Sequence, residues 1–255
     1  MGLNTNQLND PYIIETSNTS QAKKTYAGLI IVPTLRKTNN MGFTIAISKE
    51  RVPLRKNVWI FGFIAAFAFA WTSSLIGTTD LANWFLENTL SFIFIAFLII
   101  TFKKHQFSDL SYLLICVYMC LHVYGSKYTY AENPFGYWLQ GVFHTSRNHY
   151  DRIVHFSFGF LLAYPMREMF LKWLKYPTWV AWLLPIEITL SVSAFYELIE
   201  WAVADLFFKS HGDSYLGTQG DIWDSQKDIF LAFCGAIIAT TIVSSVKKIF
   251  KIQER

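Results

Sequence analysis

The sequence predicts an all-α, polytopic membrane protein: a bundle of six transmembrane helices with both termini in the cytoplasm. Three observations carry this. Hydrophobic residues make up 53% of the 255 residues and charged residues only 16%, against about a quarter charged in a soluble domain. The apolar residues are gathered in long, nearly uncharged runs, two of which approach or exceed the ~20 residues that cross a bilayer as a helix. The basic residues also fall on one side of those runs. This composition excludes a nucleic-acid-binding domain, a disulfide scaffold and a disordered chain. It makes the lipid bilayer the main partner.

Residues 1–56 form a polar cytoplasmic leader, expected to be disordered at least to residue 40. Its longest apolar stretch, Leu29 to Val32, stops at Pro33, short of the ~7–15 apolar residues a signal peptide needs. Met41 is an alternative start. The membrane domain spans 57–247. Its first run, Val58 to Gly77, has no charge, and Gly62, Ala66 and Ala70 recur along it every four residues. Such a stripe lets a neighbouring membrane helix approach closely. The second run, Leu81 to Phe102, is interrupted only by Glu87. The third is Leu110 to Tyr124, followed by a long loop carrying Pro134, Gly136 and the polar string His144 to Asp151. The fourth begins at Ile153, ends near Met166 and continues as the amphipathic stretch Arg167 to Tyr176. The fifth, Thr178 to Phe208, contains Pro185 and is expected to kink or tilt. A glycine-containing loop, Lys209 to Lys227, leads to the sixth, Ile229 to Val246, where Gly235 and Ala239 form another small pair. Residues 248–255 are a basic cytoplasmic tail.

With the N-terminus inside, the cytoplasmic segments hold 17 of the 22 Lys and Arg, the bias that sets orientation. The outer loops and helix ends then collect most of the acidic residues and five of the six histidines. Cys116, Cys120 and Cys234 lie inside apolar runs with no CxxC spacing and read as packing residues. No internal repeat is apparent, which argues against many secondary-transporter folds. Arg167 and Glu168, after Pro165, read as an interfacial anchor or salt bridge.

Ionisable residues from four segments reach one membrane depth. His122 ends span three. Asp151 and His155, four apart, share a helix face at the start of span four. Glu197 and Glu200 lie near the outer end of span five, ~30 Å up the helix from Thr178. Asp221, Asp224 and Asp228 are spaced i, i+3, i+7 and line one face if residues 221–228 are helical. Ionisable groups at this depth are costly unless paired and mark functional sites. Converging carboxylates need a cation, shared protons or basic partners. Asp151, His155, Glu200, Asp221, Asp224 and Asp228 are therefore the candidate ligands of a divalent metal, with Mg, Mn, Zn and Fe(II) all compatible. Glu197, Glu200 and His155 are the candidate catalytic groups. His122, Arg152, Gly217 and Gln219 are weaker candidates for substrate contacts; the last two sit in the turn LGTQGD. A polar network that only locks the helices is the competing explanation.

The strings HVYGSKYTY (His122–Tyr130), RNHYDRIVH (Arg147–His155), SAFYELIEW (Ser193–Trp201) and YLGTQGDIWDSQKD (Tyr215–Asp228) resemble the YjdF family of bacterial inner-membrane proteins over roughly residues 55–247. The resemblance implies a polytopic inner-membrane protein and supplies no reaction. A more distant likeness is to VanZ-like membrane proteins, whose order of helix-opening Asp and His, Glu-rich helix end and Asp before a glycine-containing helix is followed by Asp151, His155, Glu197, Glu200, Asp228 and Gly235. Three function classes stay open: a metal-assisted hydrolase or transferase on a lipid-linked or envelope substrate with a periplasm-facing pocket, a proton- or cation-coupled transporter, and a non-catalytic structural or accessory protein.

Overall fold

The computed structural model describes residues 57–78, 80–207 and 216–250, and the backbone alone of residues 25–26, 29–35 and 41–47. The chain divides into residues 1–53 and 54–255. In the first unit, strand β2 (Leu29–Leu35) pairs antiparallel with β1 (Thr25–Tyr26) and β3 (Met41–Ile47). These strands depart from an all-α chain, and β1 and β2 fall within the stretch expected to be disordered. The β-branched run Ile30–Ile31–Val32 supplies the strand propensity. The rest of the leader, Phe208 at the end of the fifth expected span, residues 209–215 of the second expected loop and the tail from residue 251 lie outside the described residues.

The second unit is all-helical, with seven helices among the described residues: α1 (Val58–Leu75), α2 (Leu81–Phe102), α3 (Asp109–Lys127), α4 (Pro134–Phe143), α5 (Tyr150–Lys172), α6 (Thr178–Phe207) and α7 (Asp224–Ile249). Polar caps start α1, α2 and α3 where the apolar runs begin. Asn57 Oδ1 accepts from the backbone N–H of Trp59 and Ile60 at 3.1 and 3.2 Å, and Asp80 accepts from Asn83 N–H at 2.9 Å. Ser108 caps α3 in the same way.

Five helices, α1, α2, α3, α6 and α7, are long and apolar enough to cross a membrane. The expected fourth span lies within α5, a 23-residue helix that runs unbroken through Pro165. Its charged residues Asp151, Arg152, Arg167, Glu168 and Lys172 keep it outside that apolar class. Its position explains the composition. Helices α3, α6 and α7 pack around α5, and α1 and α2 join the bundle through α3. The least apolar long helix is thus the one most enclosed by protein, where its polar groups find partners instead of hydrocarbon.

The closest helix approach is α5 against α7. A Cβ on Gly159 would strike the Ala232 carbonyl, and one on Gly235 would strike the Phe156 carbonyl. Ala163, Ala232 and Ala236 are buried beside them, so the small pair at Gly235 and Ala239 marks a packing seam. The stripe on α1 does not. Gly62 and Ala66 face outward, and a Cβ at Gly62 meets nothing within 4 Å. Spacing alone does not say which face of a lipid-embedded helix meets a neighbour.

The stretch expected as a long loop after span three contains α4. Asn133 caps it, accepting from Phe135 N–H at 3.0 Å, and Pro134 occupies its first turn, where the missing N–H costs nothing.

Candidate functional site

The first two turns of α5 hold the centre of the site. Asp151 and His155 share a face, with His155 Nε2 3.6 Å from Asp151 Oδ1. Across the α5–α6 contact, Glu197 Oε1 lies 3.4 Å from the same nitrogen. From α7 comes Asp228, only 2% exposed. Asp151, His155 and Asp228 can each offer one ligand atom, all within 4.8 Å of one another. Asp228 Oδ1 is buried and accepts no hydrogen bond among the described residues. A tetrahedral ion with bonds of about 2.1 Å separates its ligand atoms by about 3.4 Å, close to the 3.6 Å between His155 Nε2 and Asp151 Oδ1.

Asp221 and Asp224 sit in the same region with different neighbours. Arg147 embraces Asp224 through both guanidinium nitrogens, Nη1 to Oδ1 and Nη2 to Oδ2 at 3.1 Å. Arg152 contacts Asp221 and reaches Asp224 Oδ1 at 3.3 Å, and Lys227 Nζ approaches both Asp221 oxygens at 2.9 and 2.7 Å. Three cations thus face two carboxylates. The hydrogen bonds from Lys227, Trp223 N–H and Arg152 hold the Asp221 carboxyl down at about 2. Asp221 is not on the α7 face that its spacing suggested. The helix begins at Asp224, and Asp221 belongs to the preceding turn, where its carbonyl accepts from Asp224 N–H at 3.1 Å.

A second group of polar side chains borders the centre on the α2–α3 side. Tyr130 Oη lies 2.6 Å from His122 Nδ1, and His122 Nε2 lies 3.2 Å from the Glu87 carbonyl oxygen. Tyr196 donates to Glu87 Oε2 at 2.8 Å. Glu200 interacts electrostatically with Glu87, Glu197 and Asp151 and hydrogen-bonds with Tyr196. Thr129 and Tyr130 both adopt left-handed backbone, φ 50° and 53°, which is strained for non-glycine residues. That turn folds the Tyr130 ring onto Gly125, where any Cβ would collide with it. Burial pushes the Tyr130 hydroxyl well above its ordinary range, so it stays protonated. His122, Tyr130, Asp151, His155, Ser193 and Tyr196 line a cavity of about 60 Å³ together with apolar residues of α2, α5 and α6.

Gly217 and Gln219 hold the approach to α7 in place. Asn148 N–H donates to Gln219 Oε1 at 2.8 Å, and Gln219 Nε2 donates back to the Asn148 carbonyl at 3.1 Å. Gly217 turns with φ +62° next to Ala131. Sequence reasoning did not single out Asn148, Tyr130 or Tyr196. Asn148 is 1% exposed, reaches the Asn133 carbonyl at 2.8 Å, caps Tyr150 N–H at 3.0 Å and fills the space left by Gly136. Its signal was its position beside Arg147 in the string that opens α5.

Long apolar helices around one polar helix define a multi-pass helical membrane protein. Residues 57–248 match the family described as predicted membrane protein DUF2238. The chain is also 36% identical over 170 residues to the inner membrane protein YjdF of Escherichia coli (strain K12), covering 66% of this chain and 79% of that protein. The chain belongs to this YjdF family and is a multi-pass protein of the inner membrane. No solved structure matches it.

Proposed function

We propose that the chain crosses the membrane six times with both termini in the cytoplasm, and that the cluster at the start of α5 is a periplasm-facing metal site. Asp151, His155 and Asp228 hold a divalent cation, with Asp221, Asp224 and Glu200 as an outer acidic surround. The metal would activate a water or polarise a phosphoryl or acyl oxygen of a lipid-linked or envelope substrate. Glu197, 3.4 Å from His155, is the nearest base, and Glu200, the other carboxylate considered for catalysis, stands behind it. His122 and Arg152 border the substrate side. Gly217 and Gln219 keep the loop before α7 in register.

The carrying observation is Asp228: a carboxylate oxygen buried without a hydrogen-bond donor, within 4.8 Å of two other ligand-type groups. Such an atom is expensive unless something positive meets it. The enclosed apolar cluster of Ile115, Met119 and Leu162 lies between this end of the bundle and the Glu168 end. That arrangement favours a site at one surface over a transporter's path through the bilayer.

Elemental analysis of the detergent-purified protein tests the reading. Near-stoichiometric divalent metal in the wild type, lost in Asp151→Ala and Asp228→Ala variants that still fold, is the expected result. Metal absent from the wild type, even after incubation with Zn²⁺ or Mn²⁺, would overturn it and leave a polar network that fixes helix packing.

A further inference from the structure

We infer that the cavity beside the cluster receives a polar lipid sideways from the bilayer, through a portal between α2 and α6. This rests on the reading of the cluster as a reaction site. The cavity lining mixes two kinds of side chain. His122, Tyr130, Asp151 and His155 are polar or ionisable; Leu90, Val154, Phe158 and Val192 are apolar. Leu90 on α2 and Val192 on α6 line the cavity and yet are 41% and 44% exposed, so these wall residues also form part of the outer surface. Leu90 lies about 14 Å along α2 and Val192 about 21 Å along α6 at 1.5 Å per residue. Both are deep within apolar helices, where the surroundings are hydrocarbon.

The two walls are weakly joined. Among the described residues, helix α2 packs chiefly on α3 and at most slightly on α6. The hydrogen bond from Tyr196 to Glu87 Oε2, at 2.8 Å, bridges them. A cavity of about 60 Å³ holds a few waters, so anything larger enters only as α2 and α6 part and that bond breaks. A ligand that leaves its chain between Leu90 and Val192 and brings a phosphoryl or ester group to Asp151 and His155 matches both kinds of lining residue at once. A water-soluble substrate would leave the apolar lining residues without a partner.

The test uses the full chain in nanodiscs of phosphatidylethanolamine and phosphatidylglycerol that include a phospholipid with a mid-chain diazirine. After illumination, adducts are mapped by mass spectrometry. Adducts are expected on Phe158 and on Tyr118 of α3, both of which line the cavity, as well as on the exposed Phe195. The inner adducts should be lost in Val192→Trp and in Leu90→Trp, each filling the portal from one side, with Phe195 labelling and metal content unchanged. Labelling of Phe195 without Phe158 or Tyr118 in the wild type would overturn lateral entry and leave the metal site standing. Inner adducts in a protein that binds no metal would overturn the reaction-site reading and keep the lipid site.

Discussion

At the C-terminal end of α5, the buried carboxylate of Glu168 accepts from Ser108 N–H at 2.9 Å, from Ser108 Oγ at 2.7 Å, from Ser111 Oγ, and from Lys172 Nζ at 2.7 Å. Beside it Arg167 lies over the Trp182 ring at 3.8 Å. At the N-terminal end, Asp151, Glu197 and Asp228 gather round one imidazole, and among the described residues Asp228 Oδ1 accepts no hydrogen bond. Both ends place acid next to apolar helices. One surrounds its carboxylate with donors from α3 and α5, which is how a membrane protein makes a buried charge structural. The other concentrates acceptors with too few donors, which destabilises the fold unless a cation joins them.

The largest expected effect removes the seam on which both ends depend. Gly159→Leu would drive a side chain into the α7 backbone at Ala232. It should cost about 3 kcal/mol or more, read as a collapsed unfolding midpoint in detergent. A midpoint near wild type would mean that α5 and α7 do not approach so closely. Next comes Glu168→Ala. It strips the partner from two serines and leaves the N–H of the α3 cap without its acceptor, for an expected loss of about 2–3 kcal/mol. An unchanged midpoint would dissolve the contrast between the two ends.

Arg147→Ala probes the boundary between the paired and unpaired acids. It leaves Asp224, 5% exposed, with Arg152 at 3.3 Å as its remaining cation among the described residues. Loss of about 2 kcal/mol is expected, with Asp151–His155–Asp228 metal binding retained. Loss of metal without loss of stability would place Asp224 among the ligands.

The smallest effect is the pH response of Asp221. Its carboxyl is held at about 2 by Lys227, then Trp223 N–H and Arg152, below the ordinary value of about 3.9. The stability it contributes is therefore complete above that ordinary value and is lost as pH falls toward about 2. Comparing midpoints of wild type and Asp221→Asn across that window should show wild type losing its advantage there. A constant difference would mean that the Lys227 and Arg152 contacts do not form in solution.

The apolar runs made most of the bundle legible. The limits expected for α2 match the helix, because Asp80 and the Lys103–Lys104 pair bracket an uninterrupted apolar segment. Helix α4 was hidden because its glycines and Pro134 resemble loop composition, whereas Asn133 and Pro134 together form a start signal. The central place of α5 was not visible from its own sequence; it follows from what α3, α6 and α7 place around it. At the site, residue types pointed to an acidic, histidine-containing cluster but could not pair acids with bases. Arg147 and Arg152 take up Asp221 and Asp224 through contacts 69 to 77 residues apart, and Lys227 reaches Asp221 across six residues. Asp151, His155 and Asp228 converge because two glycines let α5 and α7 touch, and no spacing within either helix encodes that contact.

The most direct test is the unfolding midpoint of wild type and Asp228→Asn after chelation and again after adding Zn²⁺ or Mn²⁺. If the bare carboxyl awaits a cation, metal-free Asp228→Asn is at least as stable as metal-free wild type, because the amide brings N–H donors to a cluster rich in acceptors. Metal then raises the wild-type midpoint by mass action and leaves the variant where it was. A wild type indifferent to metal, with Asp228→Asn clearly less stable, would contradict the account and make Asp228 part of the packing, as Glu168 is at the other end.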